Sequence, residues 1–195
     1  MQTGIAIGKI VTVVLVVLQI LLPQISRSRA AKEYRSKEGR RVLVADFAKP
    51  ESTIESKIEF YTADNRILCA LDYSSEDGEH GFGVVKAAWT PDQKYFVFSL
   101  TSSGGHQAWH TPTLFYNLRD NSIYSLDSYV DAGISKGDFS LKDPNVVLTE
   151  VWRNQRPTPI KFRLDSLGRH QLRNALRCAD GKTIRAEPYS LQPDA

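Results

Sequence analysis

The chain has 195 residues, of which 42% are hydrophobic and 24% are charged, which is the composition of a globular protein. Its length suits one domain with one core once the first thirty residues are set aside. The formal net charge is only +3, so global charge singles out no class of partner.

The N-terminus carries the clearest local signal. Residues 10–22 read IVTVVLVVLQILL and are apolar except for Thr12 and Gln19. The run has the length of a signal-peptide core and is shorter than the roughly 20 apolar residues of a typical transmembrane helix. Extension back to Gly4 gives a second interpretation, an uncleaved span. We therefore predict that residues 1–30 form a signal peptide or a membrane anchor, and that residues 31–41 form a basic linker.

The flanking charges bear on the orientation of such an anchor. Positive charges cluster after the apolar run, at Arg27, Arg29, Lys32, Arg35, Lys37, Arg40 and Arg41. For an uncleaved helix, the positive-inside rule would hold the following domain in the cytoplasm, at the inner membrane. A cleaved signal would place it in the periplasm or outside the cell. Pro23 directly after the short run favours export, and the cytoplasm-facing anchor is the alternative. The basic stretch lacks the interleaved aromatics of a nucleic-acid arm, so we expect no nucleic-acid partner.

Residues 42–178 show the pattern of a β-domain, and residues 179–195 are interpreted as a tail. The runs 66–73 and 95–100 alternate with apolar side chains on both faces, which is typical of strands between two layers. Asx and glycine turns separate the runs, and Asp64, Asp92, Asp120 and Asp143 all occupy such turns. The sequence therefore predicts an all-β fold after the N-terminal hydrophobic segment.

Internal repeats divide this domain into about three units. WTPDQKYFVFS, from Trp89 to Ser99, matches FSLKDPNVVLT, from Phe139 to Thr149, at a constant offset. The motif TPxxF recurs at Thr111 and Thr158, and a degraded copy occupies residues 42–72. Four residues are predicted to fix the starts of the units structurally: Trp89, Pro91, Asp92 and Phe139.

The best unit, residues 84–127, resembles a repeat of the Tol-type (WD40-like) β-propellers. That resemblance implies antiparallel, blade-like sheets whose starts are marked by an aromatic residue and a Pro-Asp turn. Gln93 departs from the pattern, because it stands where the family has glycine. Three units cannot close a ring of ordinary size. The interpretations are a partial β-propeller, a ring completed by a second copy, or a twisted β-sandwich.

Two features of the C-terminal part leave alternatives open. Residues 166–178, SLGRHQLRNALRC, read either as a short amphipathic helix with an arginine stripe or as a hairpin through Leu167 and Gly168. Cys69 falls on an apolar strand face and is interpreted as a small buried hydrophobe. The even count of cysteines also permits a disulfide with Cys178 after export.

The loop Ser102–Pro112 holds the main candidates for a site. It contains His106, Trp109 and His110, which we predict to form a partner-binding surface. As the alternative, His106 and His110 would join His80 to hold a metal ion. Two loop histidines usually bond to backbone or solvent, so we expect no cofactor, and we expect His110→Ala to leave stability nearly unchanged.

No nucleophile elbow, zinc-helix motif, P-loop or dinucleotide motif occurs in the chain. The favoured hypothesis is therefore a non-catalytic, exported module that binds a protein partner, or a second copy of itself, through its sheet surface and loops. One alternative is a metal-assisted hydrolase with the loop histidines. The other is a cytoplasm-facing, membrane-tethered adaptor.

Overall fold

The computed structural model describes residues 31–48, 54–105, 109–130, 132–167 and 175–186. These residues form sheets that are antiparallel except for one parallel pair of strands, and two short 3-10 helices, at Leu126–Tyr129 and Leu164–Ser166. The predicted all-β fold is thus confirmed. Among the described residues, no helix is long and apolar enough to cross a membrane. The predicted hydrophobic segment, residues 10–22, lies outside them.

The first sheet, sheet A, is an antiparallel meander. Its strands are β1 (Lys32–Arg35), β2 (Arg41–Ala48), β3 (Ile54–Tyr61) and β4 (Ile67–Asp72). Its turns contain residues with positive φ, Gly39 at 79° and Asn65 at 61°, which are the residue types that tolerate this region.

The second sheet, sheet B, repeats the meander. Its strands are β5 (Phe82–Trp89), β6 (Tyr95–Ser102), β7 (Thr113–Asn117) and β8 (Ser122–Ser125). A bulge between Val84 and Lys86 interrupts the β5–β6 register and leaves Val85 52% exposed.

The third sheet, sheet C, is smaller. It consists of β9 (Ser140–Lys142), β10 (Val146–Arg153) and β11 (Arg156–Arg163). Ile134 extends it by a bridge to Val151. At the open edge, β11 carries Pro157 and Pro159, which lack the N–H needed for further pairing and so protect the edge.

The three sheets stack in the order A, B, C. One core lies between sheets A and B and includes Ile58, Phe60, Phe96 and Phe98, all essentially inaccessible to solvent. A second core lies between sheets B and C and is lined by Tyr95, Val97, Phe115, Phe139, Val147, Val151 and Phe162. Strand β6 therefore supplies alternate residues to both cores, as predicted. Strand β4 does not lie between two layers, because only one face of sheet A packs on another described sheet.

The predicted repeat units coincide with the sheets. The degraded unit at residues 42–72 forms β2 to β4, the unit at residues 84–127 forms β5 to β8, and the last unit forms β9 to β11. None of the sheets closes into a barrel. The arrangement suits a twisted sandwich or a partial ring of blades, so the propeller interpretation stays a prediction.

A C-terminal strap, residues 175–186, runs along the outer edges of sheets A and B. Its strand β12 (Leu176–Arg177) pairs with β8, and β13 (Lys182–Arg185) pairs parallel to β4. Cys178, between them, forms a buried disulfide with Cys69, and their Cα atoms lie 5.0 Å apart. Cys69 is therefore half of a disulfide instead of a free buried thiol.

The strap also corrects two boundaries. Leu176 and Arg177 are in a strand, so a helix through Cys178 is wrong; residues 168–174 lie outside the described ranges. The sheets extend beyond residues 42–178 on both sides. Strand β1 falls within the segment predicted as a basic linker, and β13 falls within the predicted tail.

The stack has two different ends. At the turn end, the strands are joined by short turns at residues 36–40, 62–66, 90–94, 118–121 and 143–145. A cleft lined by Glu38, Lys94, Asn117 and Asp165 joins parts of all three sheets there. At the loop end, longer connections follow β4, β6 and β8, at residues 73–81, 103–112 and 126–139. Long loops on a rigid scaffold are where binding sites concentrate.

Candidate binding site at the loop end

A buried carboxylate holds two of the long loops together at the junction of sheets B and C. Asp127 follows β8, and its Oδ1 accepts hydrogen bonds from His110 Nε2 at 2.8 Å and from the Ile134 N–H at 2.9 Å. Its Oδ2 accepts the Thr113 N–H at 3.1 Å. The Thr111 N–H also donates to the Ile134 carbonyl. The two loops are therefore one hydrogen-bonded unit.

His110 is a buried structural residue of this unit. It is 5% exposed, and a Cβ atom placed on Gly133 would lie 2.9 Å from its ring. The imidazole is therefore packed directly against the Gly133 backbone. We correct the expectation that His110→Ala is harmless, because the substitution would leave Asp127 buried without one of its donors.

Trp109 lies on the solvent side of His110, and 56% of it is exposed. Its ring stacks on the imidazole, with centroids 5.6 Å apart and planes 19° from parallel. Because the imidazole is itself fixed by Asp127 and Gly133, the indole rests on a rigid support. The site thus presents a large aromatic surface to solvent in a defined position.

An open cleft of about 460 Å³ lies beside this loop, between sheet B and residues 135–138, which lead into sheet C. Thr101 and Thr111 contribute hydroxyl groups to its lining, and Lys86 forms an ion pair with Asp138 there. Gly137 lets the loop approach sheet B closely, since a Cβ there would lie 2.6 Å from side-chain carbons of Thr111 and Val85. The cleft is therefore lined by hydroxyl groups, by the Lys86–Asp138 ion pair and by the exposed side chain of Val85.

The floor of the cleft continues into a buried hydroxyl pair. Ser99 Oγ and Thr113 Oγ1 are 2.8 Å apart. The Oγ of Ser135 is buried and has no hydrogen-bond partner among the described residues. Buried hydroxyls normally have a partner, so this Oγ is an unsatisfied polar atom beneath the cleft.

A second buried carboxylate, Glu55, organises the neighbouring loops. It is 3% exposed and accepts hydrogen bonds from the Ser75 N–H, the Ser75 hydroxyl, the Gly81 N–H and the Ser103 hydroxyl. The Ser103 N–H in turn donates to the Gly81 carbonyl. The β4–β5 loop and the start of the β6–β7 loop are therefore fixed to each other.

The predicted metal ligands are held in different ways. His80 is exposed in the β4–β5 loop and pairs with Asp77, whereas His110 is buried against Asp127. His106 lies outside the described residues. Within the described ranges, no three His, Cys, Asp or Glu side chains are grouped so that they could hold a metal ion.

Two of the predicted structural residues are aromatic and lie in the packing between sheets. Trp89 is partly buried, with its ring centroid 5.1 Å from that of Phe96 in the A–B core. Its indole Nε1 is buried with no partner among the described residues. Phe139 is completely buried in the B–C core.

The other two, Pro91 and Asp92, form the β5–β6 turn. Asp92 joins this turn to the equivalent turn of sheet C, because it accepts a 2.7 Å hydrogen bond from Asn145 Nδ2. Its N–H donates to the Pro144 carbonyl. Partial burial by itself raises the pKa of Asp92, but hydrogen bonds from Asn145, Thr90 and the Lys94 backbone outweigh it and hold the pKa below its usual value.

Sequence reasoning missed both Glu55 and Asp127. One signal pointed to Asp127: a Leu-Asp pair lies at the end of the last strand of each unit or directly after it, at residues 71–72, 126–127 and 164–165. The leucine is buried each time, but of the three aspartates only Asp127 is buried. The repeat alone could not identify which aspartate receives long-range donors.

Comparison of the chain with protein-family models, with curated proteins and with solved structures finds no match.

Proposed function

We propose that the protein is a non-catalytic, exported module that binds a protein partner at the loop end, through Trp109 and the adjoining cleft between sheets B and C. The observation that carries the proposal is the support of Trp109. Its indole is more than half exposed, yet it rests on a histidine that is buried and fixed by Asp127.

An exposed tryptophan on a rigid support is suited to binding a macromolecule. Trp is enriched among the residues that dominate binding energy in protein interfaces. A side chain already fixed before binding also loses less conformational entropy in the complex. The cleft beside Trp109 adds hydroxyl groups and a rim ion pair, which would serve as the polar contacts around an aromatic anchor.

The Cys69–Cys178 disulfide supports an extracytoplasmic location. Structural disulfides persist in oxidising compartments and are rare in the cytoplasm. The bond is buried in the A–B core, where it ties the strap to sheet A. A disulfide of this kind favours export over the cytoplasm-facing adaptor that the basic flank would predict.

Site-specific photo-crosslinking in intact cells tests the proposal. A photoreactive amino acid would replace Trp109 in one variant and Arg119, at the turn end, in the control. We expect a discrete protein adduct from position 109 and none from position 119. The partner, identified by mass spectrometry and purified, should bind the wild-type chain at least about 10-fold more tightly than Trp109→Ala, as expected for loss of an interface anchor.

Two results would contradict the proposal. One is the same set of adducts from both positions, which would indicate non-specific collisions. The other is a purified partner that binds Trp109→Ala and the wild type equally.

A further inference from the structure

The hairpin that joins β10 and β11 projects from sheet C at the loop end. Its two central residues, Asn154 and Gln155, have φ values of 49° and 62°, as a tight two-residue hairpin turn requires. All side chains from residue 152 to residue 157 are exposed, including Trp152 at 43%. Arg153 and Arg156 are paired across the strands next to the turn. Because side chains alternate along a strand, Arg153 and Arg156 start from the core-facing side of the hairpin, whereas Trp152 starts from its outer side.

The outer face of sheet C, on which Trp152 lies, also carries cations. In the strand register, Lys161 lies opposite Leu148, while Arg163 and Lys142 lie opposite Val146 on either side. Residues opposite each other in an antiparallel sheet share a face. Neither Val146 nor Leu148 belongs to the two cores, so this face points away from sheet B. Val146 is only 5% exposed and Leu148 is partly buried, so cations form most of the exposed part of this face.

Few acidic groups compensate this charge. Glu150, on the same face, is 3.2 Å from Lys136, and Asp165 is 3.3 Å from Arg163. Lys142, Lys161, Arg153 and Arg156 have no ion-pair partner among the described residues. The tip and the outer face of sheet C thus carry surplus positive charge.

We propose that this surface, Trp152 with Lys142, Lys161 and Arg163 on the outer face of sheet C, docks on an anionic lipid bilayer. Tryptophan with cations on one face suits the membrane interface, because the indole enters the headgroup region while the cations meet lipid phosphates. The proposal is independent of partner binding at Trp109.

A second copy of the chain is a poorer occupant of this surface. If two copies met through the outer faces of sheet C, positive charges would lie opposite positive charges. The outer face of sheet A offers no surplus negative charge, since Glu59 is paired with Lys57, and Glu33 with Arg35 and Arg41. A bilayer rich in anionic lipid supplies the missing charge over a wide, flat area.

The direction of the chain also favours a bilayer. Lys32 pairs with Val44 and Arg35 with Arg41, so the chain enters β1 from the loop end, the same end as the hairpin tip. The apolar run at residues 10–22, one interpretation of which is a membrane anchor, precedes β1 in the chain. The exposed acidic residues Glu76, Asp77 and Glu79 lie in the β4–β5 loop, and they confine the contact to the sheet C side.

Fluorescence of Trp152 in vesicles containing the full chain tests the proposal. Vesicles would contain brominated lipids in either phosphatidylglycerol or phosphatidylcholine, and the difference between wild type and Trp152→Phe would isolate the Trp152 signal. We expect quenching in phosphatidylglycerol and little in phosphatidylcholine. Because each cation near an anionic surface adds to binding, Lys142→Gln with Lys161→Gln, which removes two cations from the face of Trp152, should reduce the docked-to-undocked ratio about 10- to 30-fold. The matched control, Arg66→Gln with Arg119→Gln at the turn end, should leave it unchanged.

Three results would overturn the proposal. Equal quenching in both lipids would show apolar contact without charge recognition. An absence of quenching in both would show that the tip does not reach the bilayer. A Trp152 response to soluble polyglutamate but not to phosphatidylglycerol would assign the surface to an acidic protein. Circular dichroism of each variant checks that the fold is retained.

Discussion

The two ends of the sheet stack are built by different kinds of contact. At the turn end, aspartates bond to groups a few residues away: Asp64 to Arg66, and Asp120 to the Ser122 N–H and the Tyr124 hydroxyl. At the loop end, Glu55 and Asp127 are buried and collect donors from distant loops. Local contacts fix most of the turns one at a time, with the Asp92–Asn145 contact between two turns as an exception, whereas each buried carboxylate fixes several loops together. The candidate binding site lies at the end where the loops depend on one another.

The largest expected effect comes from removing Asp127. Asp127→Ala would leave His110 and the Thr113 and Ile134 N–H groups buried without their acceptor, so we expect the free energy of unfolding to fall by about 3–5 kcal/mol. Urea denaturation measures the change. Asp64→Ala at the turn end is the matched control and should leave the urea midpoint almost unchanged. If both variants lost the same free energy of unfolding, the proposed difference between the two ends would be wrong.

The disulfide is expected to have the next largest effect, and it belongs to neither end. Cys69 and Cys178 are 109 residues apart in sequence. Removing both, with alanine at each position, should lower the free energy of unfolding by about 3 kcal/mol, because the unfolded chain gains freedom. Thermal unfolding of the double variant and of the oxidised wild type gives the comparison. Reduction should lower the unfolding temperature of the wild type to that of the double variant. If the fully reduced wild type unfolded at the same temperature as the oxidised one, the disulfide would not contribute to stability.

A smaller effect is expected at the side-chain contact that joins two turns of the turn end. Asn145 is 1% exposed and donates to Asp92. Asn145→Ala should cost about 1–2 kcal/mol, the usual range for a lost hydrogen bond with a buried partner.

The same contact predicts a dependence on pH. Because the pKa of Asp92 is lower in the folded chain, its stabilisation is present above the normal carboxyl pKa and is lost as pH falls through the lowered value. Asp92→Asn should therefore lose less stability than the wild type between about pH 4 and pH 2, in urea titrations at each pH. If the free energy of unfolding depended on pH in the same way in both proteins, this role of Asp92 would be contradicted.

The smallest effect is expected at Gln93. Its φ is 62°, where glycine is favoured, but its Nε2 also donates to the Thr90 carbonyl at 2.9 Å. Gln93→Gly relieves the backbone and loses the hydrogen bond, so we expect the free energy of unfolding to change by no more than about 0.5 kcal/mol. A large loss would mean that this turn depends on its side chain more than on its backbone.

The sequence predicted well those parts of the fold that depend on neighbouring residues. The two-sided pattern of β6 reports the cores on both of its faces, and the Asx turns mark where strands end. Strand β1 was missed because its residues, KEYR, show no apolar alternation at an exposed sheet edge. Strand β12 has only two residues, too few for any periodicity.

The candidate site was predicted in part. Trp109 and His110 were identified from an unusual loop composition, but the buried state of His110 was not. It depends on Asp127, 17 residues later, and on Gly133, and no local pattern identifies either of them as a partner of His110. Glu55 likewise receives a donor from Ser103, 48 residues away. Contacts at such separations are set by the packing of the sheets, which a single sequence does not reveal.

The central claim is that Trp109 is exposed and yet held rigidly. Time-resolved fluorescence anisotropy tests it in a Trp89→Phe/Trp152→Phe variant, in which Trp109 is the sole indole. We predict a single slow decay that reports rotation of the whole particle, and a fast local component that appears when His110→Ala removes the support under native conditions. A large sub-nanosecond component already present with His110 in place would contradict the account, because a freely moving indole is not a prepared binding anchor.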